Sequence, residues 1–225
     1  MSVGELRSLM ARLTGVARMT HAPDDELAAR LRDMRSVAVG SLGEALVRAE
    51  LEALCWPMLR NAILVTSGHS VEIDQLACAR GGIVVLETKT YSGHVDGSLA
   101  SECWTLRLRD GRSFTVPNAF RQNAAHMRAV RAVINDEPVC VRGYVVSAGG
   151  GRFAPVLARA MVPVAELRTH LAEDPGLRKR GGAKLAAAWL RLVAAATDGE
   201  VQRAAHAARM AAYDGNGSGR APDQP

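Results

Sequence analysis

Apolar residues recur at helical spacing from residue 5 to 19, where Leu6, Leu9, Met10, Leu13, Val16 and Ala17 are separated by Arg7, Arg12 and Arg18. An amphipathic helix is the expectation. The run His21-Ala22-Pro23-Asp24-Asp25 then breaks the pattern and supplies acids for the first turn of a second helix, with Leu27, Leu31 and Met34 behind them. A third helix is expected from Gly40 to Cys55, and Trp56-Pro57 ends it, because a residue before proline is pushed out of the helical region.

From residue 61 the period changes to that of strands. Asn61–Ser67, Val71–Ala79 and Ile83–Thr90 are rich in β-branched residues and are joined by Ser-Gly and Gly-Gly turns, which predicts an antiparallel meander. Trp104–Arg109 and Ser113–Val116 flank Asp110-Gly111 as a further hairpin. A helix over Asn118–Asn135 and a core strand over Val139–Ser147 follow. Gly149-Gly150-Gly151 reads as a flexible joint, and Met161–Val164 as a short strand. Helices are then expected over Val164–Leu171, Ala183–Ala196 and Glu200–Tyr213. This order describes an α/β core, a mixed central sheet flanked by helices, with helical additions at both ends. The expected division is a helical appendage at 1–35, a core at 36–150, a helical extension at 151–213, and a disordered Gly- and Pro-rich tail at 214–225.

Composition narrows the picture. With 48% hydrophobic and 23% charged residues the 225-residue chain is ordinary for a globular protein, which excludes collagen, coiled coil and wholesale disorder. The net charge is +5, and Lys89, Lys179 and Lys184 are the lysines, so nearly all the cations are arginines able to meet phosphate. Cys55, Cys78, Cys103 and Cys140 lie 23, 25 and 37 residues apart, unlike the close pairs of a zinc site. No stretch approaches the roughly 20 apolar residues that cross a bilayer, and the N-terminus has Glu5, Arg7 and Arg12 where a secretion signal would be apolar. A reduced, cytoplasmic protein away from membrane is expected, with the terminal helices available for self-association.

The informative residues are acids set among apolar neighbours, where an unpartnered carboxylate costs several kcal/mol, roughly. Asp74 follows Ile73 in the second strand, and Glu87 follows Val84-Val85-Leu86 in the third, two residues before Lys89. Alternation puts Glu87 and Lys89 on one face. If the strands pair, Asp74 and Glu87 converge beside Lys89, a donor set suited to a hard cation such as Mg²⁺, or Mn²⁺ with the same oxygen ligands. Glu44 interrupts the apolar stripe Gly40, Val47, Leu51, Leu54 of its helix, and reaches the same place either as a ligand or through a water. Beyond Pro117, Gln122 lies near a helix start, with Arg121 and Arg128 on one face as either a solvated surface or contacts to a phosphate backbone.

Together, Gly43-Glu44, Glu72-Ile73-Asp74, Glu87-Thr88-Lys89, Ser92-Gly93, Gly97, Trp104 and Asn118 to Gln122 resemble the nuclease-related domain family, NERD, of the restriction-endonuclease-like PD-(D/E)XK superfamily. The resemblance spans about residues 36 to 150. It implies that Asp74 and Glu87, completed by Glu44, bind a divalent metal, that Lys89 orients or activates water, and that Gln122 is the family's glutamine. One departure is visible: the family places Asn-Pro before that glutamine, whereas here Asn118 precedes Ala119 and the proline is Pro117. The implied activity is metal-dependent hydrolysis of phosphodiester bonds, in DNA. The alternative is a non-catalytic nucleic-acid-binding or protein-interaction module that keeps the fold. Glu72 reads as a solvated strand acid, His94 and His126 as polar surface, and Tyr91 and Trp104 as packing residues rather than base-stacking ones.

Overall fold

The computed structural model describes residues 3–15, 25–66, 69–135 and 138–196. The helix expected over 200–213 and the tail over 214–225 lie outside the described residues. In chain order the elements are α1 (Val3–Gly15), α2 (Asp25–Glu52), β1 (Met58–Thr66), β2 (His69–Cys78), β3 (Gly82–Lys89), β4 (His94–Asp96), β5 (Cys103–Arg107), β6 (Ser113–Pro117) and α3 (Ala119–Val133). They continue with β7 (Cys140–Ser147), β8 (Arg152–Phe153), α4 (Pro155–Ala160), β9 (Val162–Pro163), a 3₁₀ turn at Val164–Glu166, α5 (Leu167–Glu173), α6 (Pro175–Arg178) and α7 (Ala183–Ala195).

The expected mixed sheet flanked by helices is present. It is a five-stranded sheet in the order β1-β2-β3-β7-β9, whose first three strands form the antiparallel meander and whose β3–β7 and β7–β9 pairs are parallel. One face carries α3 and α7, which bury Ala129, Val130, Ile134, Leu185, Ala188 and Leu192 against Leu76, Ile83 and Val85. The other carries α2, α5 and α6, with Val47, Leu51, Leu167, Leu171 and Leu177 against Ala77, Val84 and Leu86. Strand β3 is buried on both faces, which accounts for its unbroken run of apolar residues.

Three features differ from the sequence expectation. The helices expected on either side of residue 35 are one continuous helix, α2. Ser36-Val37-Ala38-Val39 holds no breaker, and the lone Gly40 costs only about 1 kcal/mol in a helix interior. The hairpin Cys103–Pro117 belongs to a second sheet, in the order β6-β5-β4-β8, because β3 and β7 each run on into a short strand and those two strands pair in parallel. The triple glycine is not a loose joint. A side chain at Gly149 would meet the Thr90 carbonyl carbon at 2.6 Å, and one at Gly151 the Tyr91 oxygen at 2.7 Å, so both glycines are where two backbones cross.

The terminal elements are packed onto this core. Leu6 and Met10 of α1 are buried against Val39, Leu42 and Leu46 of α2. Glu50 of α2, 4% exposed, accepts Arg7 of α1 at 3.1 Å and Arg168 of α5 at 2.7 Å. Among the described residues no helix is long and apolar enough to cross a membrane.

Candidate active site

The site begins where the sheet divides. Strands β2 and β3 pair from Cys78 with Ile83 as far as Gln75 with Leu86. Past that point β2 continues on β1, and β3 continues on β7 out to Lys89 with Ser147. Asp74 and Glu87 are the first residues beyond the shared ladder, on opposite sides of the notch that opens. One Asp74 oxygen partly closes it by accepting the Thr88 backbone N–H at 2.7 Å.

A local irregularity turns Asp74 into this position. The β1–β2 ladder passes over Asn61 and Asp74, and Asn61 has φ 46°, uncommon for a residue other than glycine. On the α3 and α7 face, the apolar positions step from Leu59 to Ala62 and from Leu76 to Ile73, intervals of three where regular pleating gives two. Both strands therefore change phase at the level of Asp74. Irregularities of this kind re-aim side chains beside sites.

The third side of the site is α3. As the crossover between parallel β3 and β7 it runs back along the sheet, so its N-terminal end stands over the C-terminal end of β3. Asn118 caps it, accepting Phe120 N–H at 2.9 Å while its amide donates to Leu99 and Ser101 carbonyls at 3.0 and 2.7 Å. Asparagine alone thus builds this helix start, and Ala119 in place of proline is fully buried beneath it. The cap places Gln122 so that its Oε1 accepts Lys89 Nζ at 3.0 Å, and the same ammonium lies 2.6 Å from Glu87 Oε1. One turn further on, His126 brings Nδ1 within 3.3 Å of Glu87 Oε2. That contact is close but not aligned as a hydrogen bond, and both atoms are buried without a hydrogen-bond partner.

Burial sets the protonation of this group. It pushes Glu87 up to about 7, helped by the neighbouring Asp74 and Glu44 charges and opposed by Lys89. Asp74 is also raised, by burial first, against the pull of the Thr88 N–H and Lys89. Lys89 is disfavoured as a cation by burial, yet Glu87 outweighs this and its pKa ends above the ordinary lysine value. His126 is pushed down to about 4 by burial and by Lys89, so it is neutral at pH 7. The His126 contact with Glu87 is therefore a neutral imidazole against a carboxyl group, not an ion pair.

Two carboxyl groups raised by burial, one of which also raises the other and one with an oxygen lacking a hydrogen-bond partner, fit a hard divalent cation. Among the described residues no three of His, Cys, Asp and Glu come together as a ready-made cage. The protein's share of such a site would be the pair, in the manner of Mg²⁺ sites that take one or two carboxylates and leave the remaining positions to water and phosphate.

The remaining residues divide. Glu44 lies across the sheet on α2, where its carbonyl accepts Gln75 Nε2 at 2.7 Å and its charge reaches Glu87. Gly43 allows that approach, since a side chain there would run into Thr90 Cγ2. Glu72 is near enough to raise Asp74 but stays on its own strand. Arg121 and Arg128 are not gathered here. At about 100° per residue they lie well round the helix from Gln122 and His126. Both are exposed, and Arg121 lies 3.6 Å from Glu102. Trp104 is buried, packed on Phe120 at 5.8 Å with Nε1 donating to the Ser98 carbonyl at 2.9 Å.

The residue that the sequence alone does not reveal is His126, which reads as polar surface and is 5% exposed. The available signal was its spacing of four from Gln122, which puts both on one helix face.

Residues 39–148 match the family model described as nuclease-related domain, NERD. Over 106 residues the chain is 31% identical to an uncharacterized protein of Bacillus anthracis, covering 45% of this chain and 50% of that protein. The chain thus spans about half the length of the curated relative it matches.

Proposed function

We propose, from the premise that residues 39–148 are a nuclease-related domain of the restriction-endonuclease-like PD-(D/E)XK superfamily, that the chain is a divalent-metal-dependent nuclease acting on DNA. The observation that carries this reading is the notch between β2 and β3, where Asp74 and Glu87 face each other and Lys89 stands 2.6 Å from Glu87. A module that only held phosphate would gain nothing from buried acids that repel it.

In this reading Asp74 and Glu87 hold Mg²⁺, or Mn²⁺, with Glu44 adding its charge from the opposite face. The bound ion supplies Lewis acidity, lowering the pKa of water and neutralising charge that develops on the phosphate. Lys89 adds a second positive group at the point of attack and orients the water. Gln122 holds the ammonium from the other side, and neutral His126 backs Glu87 without competing for the cation. Water adds to phosphorus as the ester P–O bond breaks, leaving one phosphate monoester and one hydroxyl end.

The test is cleavage of single- and double-stranded DNA and RNA with Mg²⁺, Mn²⁺ or EDTA, comparing the parent with Asp74→Ala and Lys89→Ala. Metal-dependent cleavage is expected, reduced at least about 100-fold in either variant, as for loss of an electrostatic catalytic group. Equal rates in parent and variants would overturn the assignment. Binding without turnover under every condition would favour the non-catalytic module.

A further inference from the structure

The chain that continues from β3 and β7 carries a basic feature a few residues onward. His94 of β4 pairs directly with Arg107 of β5 on one side and with Arg152 of β8 on the other. Residues paired across a sheet share a face, so Arg107, His94 and Arg152 form one row across three strands. Asp96, two residues along β4 and on that face, steadies it. Its carboxylate lies 3.0 Å from His94 Nε2 and 3.5 Å from an Arg107 guanidinium nitrogen.

The row borders a cleft of about 150 Å³ lined also by Arg109, Gly93 and Gly150, with no acid among its lining residues. That is room enough for one phosphate group. The glycines leave backbone at its rim, and the arginines offer planar donor forks suited to phosphate oxygens.

The placement relative to the notch follows from the chain. Lys89 ends β3 and Ser147 ends β7 as a parallel pair, and these strands lead directly to His94 and Arg152, the next parallel pair. His94 lies five steps along the chain from Lys89, which limits the gap to about 17 Å of extended backbone.

We infer that the Arg107–His94–Arg152 row is a phosphate-binding subsite that holds the DNA backbone within about 17 Å of the bond at Lys89. This rests on the nuclease reading and assigns backbone contact to the small sheet rather than to Arg121 and Arg128. Phosphate contacts of this type position the strand without reading its sequence.

The experiment is binding of a fluorescein-labelled oligonucleotide, single-stranded and duplex, measured by anisotropy in EDTA across a salt series. The proteins are the parent, Arg107→Ala/Arg152→Ala, Arg107→Lys/Arg152→Lys and Arg121→Ala/Arg128→Ala, each checked for an unchanged melting temperature. The first double variant is expected to weaken binding at least about tenfold and to lower the log–log salt slope by about 1.4 to 1.8, the loss of two phosphate contacts. The lysine variant restores most of the slope, and the α3 variant binds as the parent. The inference falls if the first double variant keeps the parent's affinity and slope, or if the parent binds neither oligonucleotide. Cleavage with Mg²⁺ separates the two readings. If the parent cuts DNA and the double variant cuts with unchanged KM, the subsite is wrong and the nuclease stands. Row-dependent binding without metal-dependent cleavage leaves the subsite standing and removes the nuclease.

Discussion

Glu87 and His126 touch across the site with pKa values displaced in opposite directions, and this sets an unusual pH dependence. Glu87, raised from 4.5 to about 7, contributes stability that is full below about 4.5 and lost as pH rises through about 7. Asp74 is raised in the same sense. His126, lowered from 6.5 to about 4, contributes stability present above 6.5 and lost as pH falls through about 4. The two windows overlap and oppose, so the metal-free parent is expected to show a shallow profile between pH 4 and 7. Glu87→Gln leaves the histidine's contribution, and its melting temperature should fall on acidification below 6.5. His126→Gln leaves the acids' contribution, and its melting temperature should fall as pH rises from 4.5 to 7. At about 1.4 kcal/mol per unit each slope amounts to about 3 kcal/mol. Thermal melts in EDTA across this range check it, and parallel profiles for all three proteins would contradict it. At this scale the acids and Lys89 were legible in the sequence, because a charged residue inside an apolar run is itself the anomaly. His126 was not, since burial of a helix histidine depends on what the helix lies against.

Among the elements, α2 ties the chain together. Its glycine face lies against β3 at Gly43, and its Glu50 joins α1 to α5 through Arg7 and Arg168. Both arginines are about half exposed, which tempers the pairs, yet the acid itself is buried. Glu50→Ala should therefore destabilise the protein by about 2 kcal/mol, less than the loss of a fully buried pair, and speed proteolysis of residues 3–15 in particular. Limited proteolysis beside a denaturant melt tests both parts, and an unaltered digestion pattern would show that α1 is held by its apolar contacts alone. Strand and helix types were readable from period, as the meander, α3 and α7 show. The single span of α2 and the short β4 and β8 were not. Short strands owe their existence to the partner beside them, and a weak breaker such as Gly40 yields to packing.

For the molecule as a whole, the cation proposed for Asp74 and Glu87 would bind the folded chain and not the unfolded one, and so would raise the melting temperature by linkage. At about 100 times its dissociation constant, Mg²⁺ or Mn²⁺ is expected to add about 2.7 kcal/mol, or about 5 to 10 °C for a chain of this size. Asp74→Ala should abolish the shift, and calorimetric scans with and without metal measure it without reference to activity. An equal shift in parent and variant would place the cation elsewhere. The sequence by itself determined the class of the fold and the identity of the acids and lysine, because hydrophobic period and misplaced charge are local properties of a chain. Only the tertiary structure decided where β2 and β3 part, which turns Asp74 toward Glu87, brings His126 beneath it, and carries Arg107, His94 and Arg152 into one row. Those positions depend on strand register and on which helix covers which face, and register is settled by contacts between residues far apart in the chain.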